Sequence, residues 1–145
     1  MGVWYNLGMR EIDEKKIKEL AQEHKLELLL IFGSQVSGKT HPMSDFDFGF
    51  IGEIELSYED KGKLAHELSM LLGFSDVEVV DLKKANPFLL KEIVKNNRIV
   101  FEKKGAYADF FSSAVRKYFQ AGPIFKLQEI LYSKTIDNYR KKYAK

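Results

Sequence analysis

The sequence predicts an α+β fold, in which a small mixed β-sheet carries helices on one side and is followed by a helical extension. Two observations indicate this class. Before Lys104, short apolar runs alternate with segments of helical periodicity, as expected for strands and helices that pack together. From Gly105 onward the periodicity is helical throughout. We therefore expect a core over residues 1–104 and a C-terminal helical extension over residues 105–145, either in the same domain or as a partner-binding segment.

Local patterns define the elements of the predicted core. LELLLIF is a nearly continuous apolar run, typical of a strand buried on both faces. Phe46, Phe48 and Phe50 alternate with smaller or acidic residues, which is typical of a strand, and Gly73 is a plausible helix C-cap. In chain order we predict a helix over Ile12–Lys25, strands over Leu26–Phe32 and Asp45–Ile51, a helix over Tyr58–Leu72, a strand over Val77–Leu82, a helix over Phe88–Lys95 and a strand over Arg98–Glu102.

The extension begins with an aromatic stripe at helical spacing, and Gly122-Pro123 separates it from a second helix. We expect Phe110, Phe111, Ala114 and Val115 to pack on the chain's own sheet. The tyrosines of the second helix could instead serve a protein interface, since tyrosine is common there. These are Tyr132, Tyr139 and Tyr143.

Composition excludes several classes of protein. The 145 residues are 45% hydrophobic and 30% charged, as in an ordinary globular domain, and the absence of cysteine excludes disulfides and thiolate metal sites. No apolar run reaches the length of a membrane span, and the first residues lack the apolar core of a signal peptide. The net charge of +2 gives no reason to expect direct binding of nucleic acid. We expect a cytoplasmic protein that does not contact membranes.

The segment GSQVSGKTHPMSDFDF, residues 33–48, matches two nucleotide-binding patterns. Its first eight residues fit the phosphate-binding loop G-x-x-x-x-G-K-T. That loop works by opening a helix whose N-terminal amides meet the phosphates. Here Pro42 and the strand predicted from Asp45 leave no room for such a helix. Context therefore disfavours the P-loop interpretation.

Asp45 and Asp47 are two residues apart on a predicted strand, so both side chains leave the same face, with Cα atoms about 6.6 Å apart. Two such carboxylates favour a divalent cation, and Mg²⁺ binds carboxylates together with substrate phosphates. A third carboxylate is usual in two-metal sites. The next strand offers Asp76, Glu78 and Asp81, and we prefer Glu78 because an unpaired carboxylate within an apolar run would be costly.

Gly33-Ser34, Gly38 and Ser44-Asp45-Phe46-Asp47 resemble the signature of the minimal nucleotidyltransferase family, within the DNA polymerase β-like superfamily. The resemblance implies a polymerase β palm-like fold and catalysis with two Mg²⁺ ions and ATP as substrate. It implies that Asp45, Asp47 and Glu78 are the catalytic metal ligands. It further implies that Gly33, Ser34 and Ser44 bind the nucleotide. Glu78 departs from the family, which usually has Asp at this position.

Small members of this family resemble the antitoxins of HEPN/MNT toxin–antitoxin modules. That resemblance implies transfer of AMP to a tyrosine hydroxyl of a HEPN-type toxin, which would be the partner protein. The chain's length agrees with this expectation, because 145 residues leave no second domain to grip a small acceptor. Two alternatives stay open: a nucleotidyltransferase that modifies small molecules such as aminoglycosides, and a binding module that neutralises its partner by contact alone.

Overall fold

The computed structural model describes residues 4–7, 10–33, 46–73 and 77–143. Within these ranges a two-stranded hairpin precedes a four-stranded mixed sheet and five helices. The elements are β1 (Trp4–Leu7), β2 (Arg10–Asp13), α1 (Glu14–Glu23), β3 (Leu26–Phe32), β4 (Phe46–Gly52), α2 (Tyr58–Leu72), β5 (Val77–Asp81), α3 (Pro87–Lys95), β6 (Asn97–Glu102), α4 (Ala106–Gln120) and α5 (Gly122–Tyr143).

The larger sheet has the strand order β5-β4-β3-β6. β3 pairs antiparallel with both β4 and β6, whereas β4 pairs parallel with β5. The parallel pair is joined through α2, as a crossover connection requires. The predicted mixed sheet and α+β class are thus confirmed.

Helices cover both faces of this sheet, so the expectation of helices on one side is wrong. On one face, α1 and α2 pack over Leu29, Ile31 and the phenylalanines of β4. On the other face, α3 and α4 pack over Leu28 and Leu30. The reason lies in the central strand, because β3 is apolar on both faces and each face needs its own cover.

The helix α2 has the predicted bounds, and local signals at both ends explain why. The side chain of Ser57 accepts a hydrogen bond from the backbone N–H of Asp60 and caps the N-terminus. Gly73, at φ 74°, ends the helix in the left-handed conformation, as predicted. Leu64, Leu68 and Leu72 form its buried stripe.

The N-terminal hairpin is a structural element that the sequence patterns did not indicate. Its second strand runs to Asp13, so α1 starts at Glu14 and not at the predicted Ile12. The side chain of Asp13 caps α1 by accepting from the backbone N–H of Lys15 at 2.9 Å. At the other end of the helix, His24 donates from Nε2 to Glu67 Oε2 at 2.6 Å and ties α1 to α2.

The C-terminal helices differ in how they pack. In α4, Phe110 and Ala114 are buried in the core, as predicted. Phe111 was expected to pack there too, but its side chain is 44% exposed. Its ring contacts the Tyr107 ring on the same helix. The break at Gly122 is confirmed, since α4 ends at Gln120. Among the described helices, none is long and apolar enough to cross a membrane.

Candidate nucleotide-transfer site

The candidate site lies at the edge of the sheet where β3 ends and where β4 and β5 begin. There, Glu78 is in register with Asp47, and Asp47 is in register with Phe32. Residues paired across neighbouring strands point to the same face of a sheet. Phe32 belongs to the cluster beneath α3 and α4, which places both carboxylates on that face.

Gly33 and Asp47 are in close approach at this edge. Gly33 directly follows β3 and has φ +90°, a conformation that glycine adopts without steric cost. A Cβ atom on Gly33 would lie 2.5 Å from Asp47 Oδ2 and 3.4 Å from its Cγ. Two separate features therefore favour glycine at position 33: the positive φ angle and the Asp47 carboxylate beside it.

Glu78 lies on the neighbouring strand, about 4.8 Å away at the backbone. Its side chain is exposed. The argument that an unpaired carboxylate would be costly there is therefore wrong, because Glu78 is not buried with the apolar residues around it. The apolar residues on either side, Val77 and Val79, pack against the core of the opposite face. Strand alternation thus turns Glu78 toward solvent beside Asp47. Asp81 is in register with Phe50, which places it on the opposite face from Glu78.

The other predicted site residues, Ser34, Ser44 and Asp45, lie outside the described residues, as does Asp76. Asp45 immediately precedes β4. Their assignment therefore stays a prediction, and so do the roles assigned to Gly33, Asp47 and Glu78.

The strand pairing bears on the choice between the two sequence patterns. A P-loop connects a strand to a helix that leads to a parallel strand. Here β3 and β4 are antiparallel neighbours, in continuous register from Phe32 with Asp47 to Leu28 with Ile51. The chain turns back on itself after Gly33, as the paired-carboxylate interpretation requires.

Asn97 extends the row of polar residues and was not singled out from the sequence. It is in register with Phe32 on the far side of β3. Its Nδ2 lies 2.9 Å from the carbonyl oxygen of Ile93 and 3.0 Å from Tyr107 Oη, so it joins the end of α3 to the start of α4. A lone asparagine after a helix is typical of a helix end, so only strand register could have revealed this position.

The carboxylates fit a magnesium ion by their chemistry. Hard oxygen donors from Asp47 and Glu78 face the same side of adjacent strands, and the absence of a side chain at Gly33 makes room for the Asp47 carboxylate. Among the described residues, no group of three or more histidine, cysteine, aspartate and glutamate side chains could hold a metal ion. A third ligand would have to come from the segment that contains Asp45.

The fold and the paired carboxylates at its edge define a nucleotidyltransferase. Residues 15–106 match the family described as polymerase beta, nucleotidyltransferase. Because this match covers more than half of the chain, the protein belongs to the polymerase β nucleotidyltransferase family.

Individual relatives narrow the comparison. The chain is 33% identical over 92 residues to the protein adenylyltransferase MntA of Shewanella oneidensis, which covers 62% of this chain and 66% of the relative. It is similar to a chain of a toxin–antitoxin structure with AMP-PNP, with 26% identity, a TM-score of 0.68, and coverage of 81% of this chain and 98% of that one. A tri-AMPylated Shewanella oneidensis HEPN toxin in complex with its MNT antitoxin matches with a TM-score of 0.61 at 24% identity, covering 81% and 95% of the two chains, which supports the fold alone.

Proposed function

We propose that this protein is a Mg²⁺-dependent protein adenylyltransferase that transfers AMP from ATP to a tyrosine hydroxyl of a HEPN-type toxin and thereby acts as its antitoxin in the cytoplasm. The observation that carries the proposal is the close approach of Gly33 to Asp47 with Glu78 in register beside them. The relatives support the direction of the proposal, since one is named a protein adenylyltransferase and another is a chain of a toxin–antitoxin structure with AMP-PNP.

The proposed division of roles follows the family resemblance of the motif residues. Asp45, Asp47 and Glu78 would hold two Mg²⁺ ions, which supply positive charge to the triphosphate when bound. The turn at Gly33, Ser34 and Ser44 would bind the phosphates through backbone amides and hydroxyl groups. Gly33 contributes by what it lacks, because any side chain there would meet the Asp47 carboxylate.

The reaction exchanges a phosphoanhydride bond of ATP for a phosphate ester bond to the acceptor. The acceptor oxygen forms a bond to the α-phosphorus of ATP, and the bond from that phosphorus to the bridging oxygen of the β-phosphate breaks. Pyrophosphate leaves with the electron pair of the broken bond. The proton of the hydroxyl group goes to a carboxylate, for which we assign Glu78, since it is exposed at the site edge and able to meet an incoming acceptor. Positioning and electrostatic stabilisation supply most of the rate in such transfers.

A division of labour along the chain completes the proposal. Residues 1–104 would carry the transfer site, and residues 105–145 would form the helical extension that meets the partner.

The test uses ATP labelled at the α-phosphate, Mg²⁺ and a HEPN-type protein co-expressed with the chain. We expect label on the toxin and its loss in Asp47→Asn, with release of pyrophosphate in proportion. Mass spectrometry of the labelled toxin identifies the acceptor side chain. Inhibition of the toxin without any label, unchanged by Asp47→Asn, would instead favour neutralisation by contact alone. Label on an aminoglycoside and not on the toxin would favour the small-molecule alternative.

A further inference from the structure

Exposed apolar side chains are concentrated in the C-terminal helices. On α5, Ile124, Leu127 and Leu131 follow one another at helical spacing of three and four residues, so they share one face. Leu127 is 56% exposed and Leu131 is 54% exposed. A face of this kind is unusual on a surface helix without a partner, because α5 would otherwise leave a continuous apolar stripe in water.

A groove between α3 and α4 lies next to the start of this helix. It has a volume of about 170 Å³ and is lined almost entirely by apolar groups. Its lining ends at Tyr118 and Phe119, three residues before α5 begins. The lining residues that the argument uses are Leu90, Val94, Ala114, Val115, Tyr118 and Phe119. We call this groove and the Ile124, Leu127 and Leu131 face of α5 the C-terminal surface.

The surroundings of the C-terminal surface are basic. Lys91 and Lys95 border the groove, and Lys91 Nζ lies 5.4 Å from the centre of the Tyr118 ring. Residues 105–145 contain eight basic and three acidic residues, whereas residues 1–104 contain fifteen basic and eighteen acidic ones. The small net charge of the whole chain therefore hides a positive extension on a negative core.

We infer that the C-terminal surface docks an amphipathic helix of an acidic partner protein, with the apolar stripe of that helix on the groove and on α5 and its carboxylates against the lysines. The inference rests on the proposed function for the existence of a protein partner and names the surface that receives it. Helix-in-groove recognition combines an apolar stripe with charges beside it. Opposite charges also speed the encounter of two proteins.

Two other occupants fit the observations less well. A second copy of the chain would bring an equally basic surface against this one, so like charges would oppose a symmetric contact. Sequence-specific binding of single-stranded RNA uses aromatic or arginine side chains that stack on the bases. Two residues that define the C-terminal surface, Tyr118 and Phe119, are aromatic, and Lys91 already lies over the Tyr118 ring. The α5 face offers isoleucine and leucine, which cannot stack on bases.

The experiment compares two charge insertions at exposed positions. Leu127→Asp combined with Leu131→Asp places carboxylates in the centre of the C-terminal surface. The matched control is Met70→Asp, which is 72% exposed. It lies on α2, which packs on the opposite face of the sheet from α4. Binding of the purified HEPN-type protein is measured by calorimetry at two salt concentrations, and circular dichroism compares the helix content of the variants. The milder pair Leu127→Ser and Leu131→Ser serves if the aspartates reduce helix content.

We expect binding to weaken at least a hundredfold in the Leu127 and Leu131 variants and to stay within twofold in Met70→Asp. Binding by the unmodified chain should weaken as salt rises. Unchanged binding in the aspartate and serine pairs would overturn the inference. Self-association of the chain that is lost in these variants, while the HEPN-type protein still binds, would also overturn it. The same holds for binding of a twenty-nucleotide single-stranded RNA.

Failure of the docking inference is distinguishable from failure of the proposed function. Calorimetric titration with Mg²⁺-ATP reads the transfer site alone and should be unchanged in the Leu127 and Leu131 variants. Partner binding that depends on these leucines, without any AMP transfer by the unmodified chain, would keep the docking surface and refute the adenylyltransferase. AMP transfer at the unmodified rate, together with unmodified affinity for the partner, in both leucine variants would refute the docking surface and keep the adenylyltransferase.

Discussion

Gly33 packs directly against the Asp47 side chain at the edge of the sheet. The glycine has φ +90°, and a Cβ on it would lie 2.5 Å from Asp47 Oδ2. Thirteen residues lie between the two positions in the sequence. The antiparallel pairing of β3 with β4 brings them into contact. Because Asp47 is also in register with Glu78, a shift of its carboxylate would disturb the whole edge.

The first prediction concerns Gly33→Ala. We expect the affinity for Mg²⁺-ATP to fall about tenfold or more, because an L-residue in the left-handed region costs roughly 1–2 kcal/mol and the new methyl group displaces Asp47. Isothermal titration calorimetry measures the change. Gly62→Ala is the matched control, since a Cβ there meets no atom within 4 Å and alanine favours the helix α2. Equal ATP affinity in the two variants would show that Gly33 has no part in nucleotide binding.

The second prediction tests Glu78. We expect Glu78→Gln to reduce AMP transfer by about a hundredfold or more, as loss of a general base does, without lowering thermal stability, because the side chain is exposed. Glu78→Asp should retain transfer, since the carboxylate stays on the same strand position. Transfer of labelled AMP to the toxin provides the rate.

Asp81→Asn is the control for Glu78, because Asp81 lies on the opposite face and its Oδ1 accepts a backbone hydrogen bond from Lys83 that asparagine can keep. If Glu78→Gln and Asp81→Asn transfer AMP equally fast, the assignment of Glu78 as base is wrong.

Elements with strong local signals could be predicted from the sequence to the residue. The strand Leu26–Phe32 is a continuous apolar run that ends at a glycine, and the helix Tyr58–Leu72 has a cap at each end. The hairpin of Trp4–Leu7 and Arg10–Asp13 could not be predicted, because its strands have four residues each and the second is mostly charged. The pairing of the two strands depends on residues from both of them, so the local pattern of either strand alone does not predict it.

The candidate site was predicted in part. Spacing and the family resemblance indicated Gly33, Asp47 and Glu78, and strand register brings these three together. The reason given for Glu78 was wrong, because burial of a strand residue depends on which face its neighbours cover. The same limitation applies to the helices, since the apolar pattern of β3 required cover on two faces but did not say which helices supply it.

The third prediction concerns the exposed ion pair of Glu55 and Lys84, which joins the β4–α2 connection to the turn after β5. The hydrogen bond and charge of Lys84 hold the pKa of Glu55 below its ordinary 4.5, and those of Glu55 raise the pKa of Lys84 above 10.5. The stabilisation is therefore present from about pH 5 to pH 10. It is lost as the pH falls through the lowered pKa of Glu55 or rises through the raised pKa of Lys84.

We expect Glu55→Gln to lower the free energy of unfolding slightly across that window, and the difference from the unmodified chain to vanish in acid and in molar salt. Urea denaturation at a series of pH values measures it. Glu92→Gln removes an exposed carboxylate on α3 and serves as the control. A difference that persists below the lowered pKa of Glu55 would assign the effect to something other than this pair.

The fourth prediction concerns Gly49, a position on β4 that faces the cluster beneath α3 and α4. A Cβ there would lie 2.7 Å from Leu82 Cδ2 and 3.1 Å from Leu30 Cδ1. We expect Gly49→Ala to lower the free energy of unfolding by about 1–3 kcal/mol through overpacking. Leu82→Ala alone should cost about 2–5 kcal/mol, because the side chain is buried.

The two changes together should cost less than their sum, since truncating Leu82 opens the space that the new methyl group of Gly49→Ala needs. A coupling of about 0.5–3 kcal/mol is expected for residues in contact. Urea denaturation of the four proteins gives the cycle. Gly62→Ala combined with Leu82→Ala should be additive, because a Cβ on Gly62 meets no atom within 4 Å and α2 packs on the opposite face of the sheet from Leu82. Additivity of the Gly49 and Leu82 changes would mean that the sheet relaxes around the methyl group and that Leu82 does not restrict the space at Gly49.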